Sequence, residues 1–301
     1  MRLRSLIVSL AVFLALLLAA CGSSPKAAAP ASTAPPAATP TASPTPTAVK
    51  SSGKELILAT TTSTQDSGLL DVLVPLYEKA TGDKVKVIAV GSGAALELGR
   101  KGNADVLLVH SPAAEETFVK EGFGVQRTRV MYNDFVIVGP PADAARIRGG
   151  KDAAAAMKAL AVAKASFYSR GDNSGTHAAE HALWKAAGLE APKAQPWYRE
   201  TGQGMGATLT IAAEKDGYTI SDRATWLANA DKARQPILVE GDKALFNVYH
   251  VIPVNPEKFP NLNKTSAEQF RQFMVAKDTL QVIANFGKDK YGQPLFTPYT
   301  E

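Results

Sequence analysis

From residue 55 onward, short apolar stretches alternate with helical patterns. Residues 55–59, 84–90 and 106–109 read as strands, and 67–80, 94–100 and 112–121 read as helices. Such alternation predicts an α/β fold on a sheet with parallel strands. Two longer strands stand out, at 130–138 and 246–254. Between them lie helices at 151–162, 175–187 and 205–215, strands at 165–169, 196–201 and 218–221, and a helix through Trp226. Helices at 267–276 and 280–287 close the chain. Two α/β stretches joined by two long strands predict two lobes with two crossings, 54–137 plus 252–301 and 138–251. The cleft between such lobes is a natural ligand site.

The first 53 residues have a different composition. Arg2 and Arg4 precede an apolar run over 6–18, too short to span a membrane comfortably. Leu18-Ala19-Ala20-Cys21 resembles a lipoprotein signal-peptidase site, so residues 1–20 are expected to be a signal peptide and Cys21 the lipidated first mature residue. Cys21 is the chain's single cysteine, so no internal disulfide can form. Seven of the 19 prolines fall within 22–53, among Ala, Thr and Ser. Residues 21–53 therefore read as an extended, disordered tether. The expected location is extracytoplasmic, with the lipid holding the domain to the cell membrane or outer membrane.

The net charge of +5 does not belong to the folded part. Four of the 33 basic residues lie in 1–53, where there is no acid, leaving 29 basic against 28 acidic in 54–301. A nucleic-acid binder carries its excess charge on the fold, so that class is set aside.

Two strand-to-helix junctions carry the chemistry. The first is Thr60-Thr61-Thr62-Ser63-Thr64. Hydroxyls cap helix starts by accepting from unpaired backbone N–H groups. The same geometry binds anions, because free amides point outward and the helix dipole favours negative charge. The second is Ser169-Arg170-Gly171-Asp172-Asn173-Ser174-Gly175-Thr176. Arg170 brings a permanently charged, forked donor suited to oxyanions, or else a surface partner for Asp172. Gly91-Ser92-Gly93 is a compact turn opening another helix.

These two motifs, with Gly202-Gln203-Gly204-Met205-Gly206 and the run from Gly217 through Tyr218-Thr219-Ile220-Ser221-Asp222 to Arg223, resemble the tungstate-binding proteins of bacterial ABC importers. The resemblance covers almost all of 54–301. It implies a two-lobed type II periplasmic-binding-protein fold that closes on an oxyanion and passes it to an ABC permease, acting as a monomer without a cofactor. By position it implies Thr61, Thr62, Ser63, Ser92, Arg170, Ser174 and Thr176 as anion-binding residues. Tungstate is favoured and molybdate admitted, since the two share charge and shape. The Arg-x-Asp-x-Ser-Gly-Thr pattern also resembles the phosphate-binding relatives, so a phosphate importer is the alternative. There a carboxylate accepts the O–H of partly protonated phosphate. For a fully deprotonated anion, Asp172 must turn away or pair with Arg170.

Other constellations are weaker. His177 and His181 have a helical i, i+4 spacing that can hold zinc, but no third ligand appears nearby, so no metal site is expected. His110 and His250 read as packing residues. Trp184, Trp197 and Trp226 are expected to pack in the second lobe. An exported enzyme would need a general base beside Thr60–Thr64, and none is present, so no catalytic residue is assigned.

Overall fold

The computed structural model describes residues 55–232 and 234–299. The expected signal peptide and tether, with Cys21, lie outside the described residues. In chain order come β1 (Glu55–Thr61), α1 (Thr62–Asp66), α2 (Leu69–Thr81), β2 (Lys84–Val90), α3 (Ser92–Arg100), β3 (Val106–Val109) and α4 (Pro112–Lys120). The long strand β4 (Thr128–Val138) leads into α5 (Ala153–Ala163), β5 (Phe167–Ser169), α6 (Gly175–Ala186), β6 (Tyr198–Glu200), α7 (Met205–Glu214), β7 (Thr219–Asp222), α8 (Arg223–Ala228) and β8 (Ile237–Val239). The chain returns along β9 (Phe246–Pro253) and ends with α9 (Lys264–Val275), α10 (Lys277–Asn285), α11 (Lys288–Tyr291) and β10 (Thr297–Pro298).

Period-two alternation explains the layering. Leu56 and Leu58 of β1, with Val106 and Leu108 of β3, face a core completed by Leu69, Leu73 and Tyr77 of α2 and Phe270 and Met274 of α9. The intervening Ala59, Leu107 and Val109 face the opposite layer, against Ala95 and Leu96 of α3 and Phe118 of α4. These strands are apolar on both faces because helices cover both. Burying each large apolar side chain contributes roughly 1.5–3 kcal/mol.

The sheet is mixed, which corrects the expectation of parallel strands. β1 pairs in parallel with β2 and β3, and β5 with β6. β9 lies antiparallel to both β3 and β4, and β4 lies antiparallel to β7, β8 and β10. The reason is topological: β4 carries the chain out and β9 brings it back, so the two run in opposite directions. β4 is long because it serves two neighbourhoods. Its residues 128–134 pair with β9 and 135–138 with β7. Val130 and Met131 join the β1–β3 core, whereas Phe135 and Ile137 join a second core with Met157, Leu160, Trp184, Trp197 and Tyr218. Trp184 and Trp197 thus pack together, but Trp226 does not join them. It packs between the β1–β3 core and a small cluster of Val136, Val138, Met205 and Leu209.

The Thr/Ser run, read from sequence as a segment ahead of a single helix, is itself helical from Thr62. Gly68, at φ +80°, separates α1 from α2. No helix among the described residues is long and apolar enough to cross a membrane.

Candidate functional site

Five strand-to-helix junctions meet at one place. They are β1 to α1, β2 to α3, β5 to α6, β6 to α7 and β7 to α8. Each helix start leaves backbone N–H groups without intrahelical partners and carries the positive end of its dipole. Direct bonds hold the junctions together. Arg170 Nη2 donates to Thr62 Oγ1 at 2.8 Å, tying the 170–174 loop to α1. Gly93 N–H donates to Asn173 O at 3.1 Å, bringing α3 to that loop. Gly206 N–H of α7 donates to Asp66 Oδ2 of α1 at 3.1 Å, and Thr225 Oγ1 of α8 donates to Ser63 O at 3.4 Å. The approach is close enough to demand glycine. A Cβ on Gly175 would meet His110 O at 2.6 Å and its Nδ1 at 2.7 Å.

The hydroxyls divide into committed and uncommitted. Thr60 Oγ1 donates to Leu108 O at 2.8 Å. Thr61 Oγ1 caps α1 by accepting from Thr64 N–H, and it also bonds Thr64 Oγ1 at 2.7 Å and Ser63 Oγ at 3.1 Å. Ser174 Oγ caps α6 by accepting from His177 N–H. Ser92 Oγ and Thr176 Oγ1 are buried and have no partner among the described residues, and neither do Arg170 Nε and Nη1. A buried polar atom left unpaired costs roughly 1–3 kcal/mol. Of the 11 such side-chain atoms among the described residues, these four and Asp222 Oδ2 lie at the five junctions. That concentration marks a place built for a ligand that accepts several hydrogen bonds.

Arg170 is 1% exposed and is the cation of the site. Asp172 does not turn away. Its Oδ2 accepts from Arg170 Nη2 at 2.5 Å, and its Oδ1 accepts from Ser174 N–H at 3.1 Å. Both carboxylate oxygens of Asp172 are therefore engaged within the loop.

Three polar residues here were not singled out by sequence reasoning. His110, read as a packing residue, does stack on Tyr249, with ring centroids 4.5 Å apart. Its nitrogens also reach Ser63 Oγ and Asn247 Oδ1, each at 3.0 Å. Asn247 Nδ2 donates to Asn133 Oδ1, so Asn247 Oδ1 faces the ring and accepts from Nδ1–H. Nε2 is then the acceptor, and the Ser63 hydroxyl donates to it. Burial, then the Arg170 charge, pushes His110 down to about 3, so the ring is neutral. Asp66 is raised by burial, against the Gly206 N–H and Arg170, which lower it. Asp222, wholly buried, caps α8 by accepting from Thr225 N–H at 2.9 Å. Burial pushes it up to about 6, with Thr225 and Arg170 opposing. A lone His at a strand end and an Asp before a helix carry no distinguishing sequence signal.

The remaining histidines sit further out. His177 and His181 pack edge to face at 4.4 Å, and His177 Nδ1 accepts from Asn173 N–H. Burial lowers both, followed by mutual charge and Lys193 for His177 and by Lys193 for His181. His250 Nδ1 lies 2.9 Å from Glu115 Oε2, in a cluster with Arg127 rather than in apolar packing.

The PBP superfamily domain matches residues 31–278. The tungstate-binding protein TupA of Peptoclostridium acidaminophilum is 49% identical over 245 residues, which cover 81% of this chain and 85% of that protein. The chain belongs to the tungstate-binding family of the PBP superfamily. Solved relatives of this family share its architecture. The tungstate ABC transporter structure from Geobacter sulfurreducens superposes with a TM-score of 0.70 at 49% identity, covering 77% of this chain and 98% of that one. The tungstate-binding protein TupA from Desulfovibrio alaskensis G20 gives 0.69 at 48% identity, covering 82% and 100%. The fold is therefore the expected α/β periplasmic-binding-protein type. Family members are binding proteins rather than enzymes.

Proposed function

We propose that this chain is the extracytoplasmic solute-binding protein of a tungstate importer, admitting molybdate as well. Its lobes, residues 54–137 plus 252–301 and residues 138–251, close on one oxyanion and present it to an ABC permease. The observation that carries this reading is the cluster of buried, unpaired donors around Arg170. Arg170 Nε and Nη1, Ser92 Oγ and Thr176 Oγ1 are four such donors at converging helix starts, suited to a tetrahedral dianion. Thr62 Oγ1 accepts from Arg170 and keeps its own hydrogen for the anion. Ser63, whose hydroxyl serves His110, and Thr61, whose hydroxyl oxygen caps α1, contribute through backbone N–H groups, whereas Ser174, whose hydroxyl caps α6 and whose N–H is held by Asp172, positions the loop.

The phosphate alternative gives Asp172 the task of accepting the anion's O–H. Asp172 is not free, since Arg170 and the Ser174 amide occupy both its oxygens. That favours the fully deprotonated anion. Lipid on Cys21 and the 21–53 tether would keep the domain beside the permease. A thermal-shift series with tungstate, molybdate, sulfate and phosphate tests the reading. A ligand at 100 times its Kd stabilises the native state by about 2.7 kcal/mol. Tungstate and molybdate should give the large shifts, and a shift with phosphate alone would refute the proposal.

A further inference from the structure

The carboxyl of Asp222 is the one buried acidic group of the junction cluster with an oxygen left unpaired among the described residues. It is wholly buried at the β7 to α8 turn. Oδ1 accepts from Thr225 N–H at 2.9 Å, and Oδ2 has no partner among the described residues. Every element packed on it contributes to its setting. The 170–174 loop brings Arg170, and α1 brings Asp66. β9 brings the hydroxyl of Tyr249, itself raised by burial and by Asp222. β4 brings apolar Phe135 as its cross-strand neighbour. Arg223, next in sequence, is turned away to Asp134 and Glu240. Asp172 has both oxygens occupied, and Asp66 Oδ2 accepts from Gly206 N–H. Asp222 Oδ2 is thus the buried carboxylate oxygen left without a partner in the field of Arg170, whereas Asp66 is exposed to solvent.

We infer that Asp222 is a specificity-determining residue that takes up a proton when the oxyanion binds, presenting Oδ2–H as a hydrogen-bond donor to the dianion. The inference rests on the oxyanion reading of the site. An ionised carboxylate beside a dianion is repelled, and its unpaired oxygen makes no bond. Protonated, the same oxygen becomes a donor. The proton comes from solvent buffer: free site plus H⁺ plus WO₄²⁻ gives the neutral carboxyl with the anion bound, and charge balances. The ligand class follows. A dianion that only accepts hydrogen bonds is matched, whereas phosphate at pH 8 also has an O–H to donate and would suit the ionised carboxylate instead.

The free group titrates at about 6, mainly because of burial. If the bound form stays protonated, affinity for tungstate falls as pH rises, approaching tenfold per unit above that value. From pH 6.5 to 8.5 the fall is about 75-fold for a group at about 6. Glu180 also titrates nearby, pushed up to about 7 by burial, so the profile alone does not isolate Asp222.

The test is calorimetric titration of the full chain with sodium tungstate at pH 6.5, 7.5 and 8.5, each in two buffers of different ionisation enthalpy. Wild type, Asp222→Asn, Asp222→Ser and Glu180→Gln are compared, after circular dichroism establishes that each is folded. Asn and Ser both cap helices, so α8 should survive either change. Wild type should take up close to one proton at pH 7.5 and lose affinity with rising pH. Asp222→Asn, whose amide replaces the carboxyl O–H as donor, should bind at least tenfold more tightly than wild type at pH 8.5 and lose most of the slope. Asp222→Ser should also lose the slope but bind more weakly than Asn. Glu180→Gln should keep the slope. If Asp222→Asn keeps the wild-type slope and proton uptake, the inference is wrong. If wild type binds phosphate at pH 8.5 and Asp222→Asn loses it, the carboxylate is an acceptor and the inference is equally overturned. A folded wild type that ignores tungstate at every pH refutes the oxyanion reading itself, and the inference falls with it. That failure is told apart from a flat profile by the absence of any binding heat.

Discussion

Replacing Arg170 by alanine removes the cation of the site. The side chain is 1% exposed, Nη2 is shared between Thr62 and Asp172, and Nε and Nη1 remain for a ligand. A charge-assisted hydrogen bond contributes roughly 1.5–3 kcal/mol, so two such bonds to a dianion are worth about 3–6 kcal/mol. The substitution also leaves Asp172 without its counter-charge beside the anion, which adds repulsion. Part of the loss is offset in the free protein, where Arg170 no longer holds two buried, unpaired donors. The balance should still weaken tungstate binding at least about 100-fold, or about 2.8 kcal/mol at 1.4 kcal/mol per decade. Arg170→Lys should recover only part of this, because an ammonium cannot donate in the directions of a planar guanidinium. The assay is calorimetric titration of tungstate into folded wild type and variants at pH 7.5, with Thr62→Val alongside. Thr62→Val removes one neutral donor and should cost less than Arg170→Ala. A folded Arg170→Ala protein that binds tungstate within threefold of wild type would refute the reasoning, making the arginine a structural partner of Asp172 alone.

Gly175→Ala forces a Cβ to within 2.6 Å of His110 O, so one backbone must move. It should lower stability by about 1–3 kcal/mol and weaken tungstate binding, and an unchanged Tm would show that the junction is not tightly packed. Glu180 is held at about 7 against an ordinary 4.5 by burial. Its folded-state pKa is raised, so the native state binds the extra proton and stability falls as pH rises from 4.5 to 7. Glu180→Gln keeps an acceptor for Trp184 Nε1 and Tyr198 Oη and should flatten that loss, which is on the order of 3 kcal/mol. Denaturant titrations at pH 5 and 8 measure it, and an unchanged pH dependence in the variant would count against the buried-acid account. Cys21→Ser should abolish fatty-acid labelling of the exported protein, whereas label retained in the variant would exclude Cys21 as the lipid attachment point.

The strand and helix order was legible because its signals are local. Leu56 and Leu58 alternate with Ile57 and Ala59, and a strand buried on both faces shows as an apolar run. The direction of β4 and β9 was not legible, since antiparallel pairing depends on where the chain returns rather than on either strand's residues. β8 was missed because three residues, Ile237–Val239, are too few to show a period. At the site, the Arg170 loop could be picked out because an arginine stands with Ser and Thr between a strand and a glycine-opened helix, the local pattern of an anion site. Thr61 and Ser63 looked alike in sequence, yet one caps α1 and the other bonds His110. That difference is set by a residue 47 positions away. The polar roles of His110, Asp66 and Asp222 were not legible for the same reason: each acquires its setting from elements distant in the chain.

The measurement that tests the central claim most directly is an anomalous difference map at the tungsten edge from crystals grown with tungstate. The account predicts one tungsten peak per chain, at the convergence of α1, α3 and α6. Its oxygens should lie within hydrogen-bond distance of Arg170 Nε or Nη1, Ser92 Oγ and Thr176 Oγ1. A peak elsewhere on the chain, or an ordered anion at this place that makes no contact with Arg170, would contradict it.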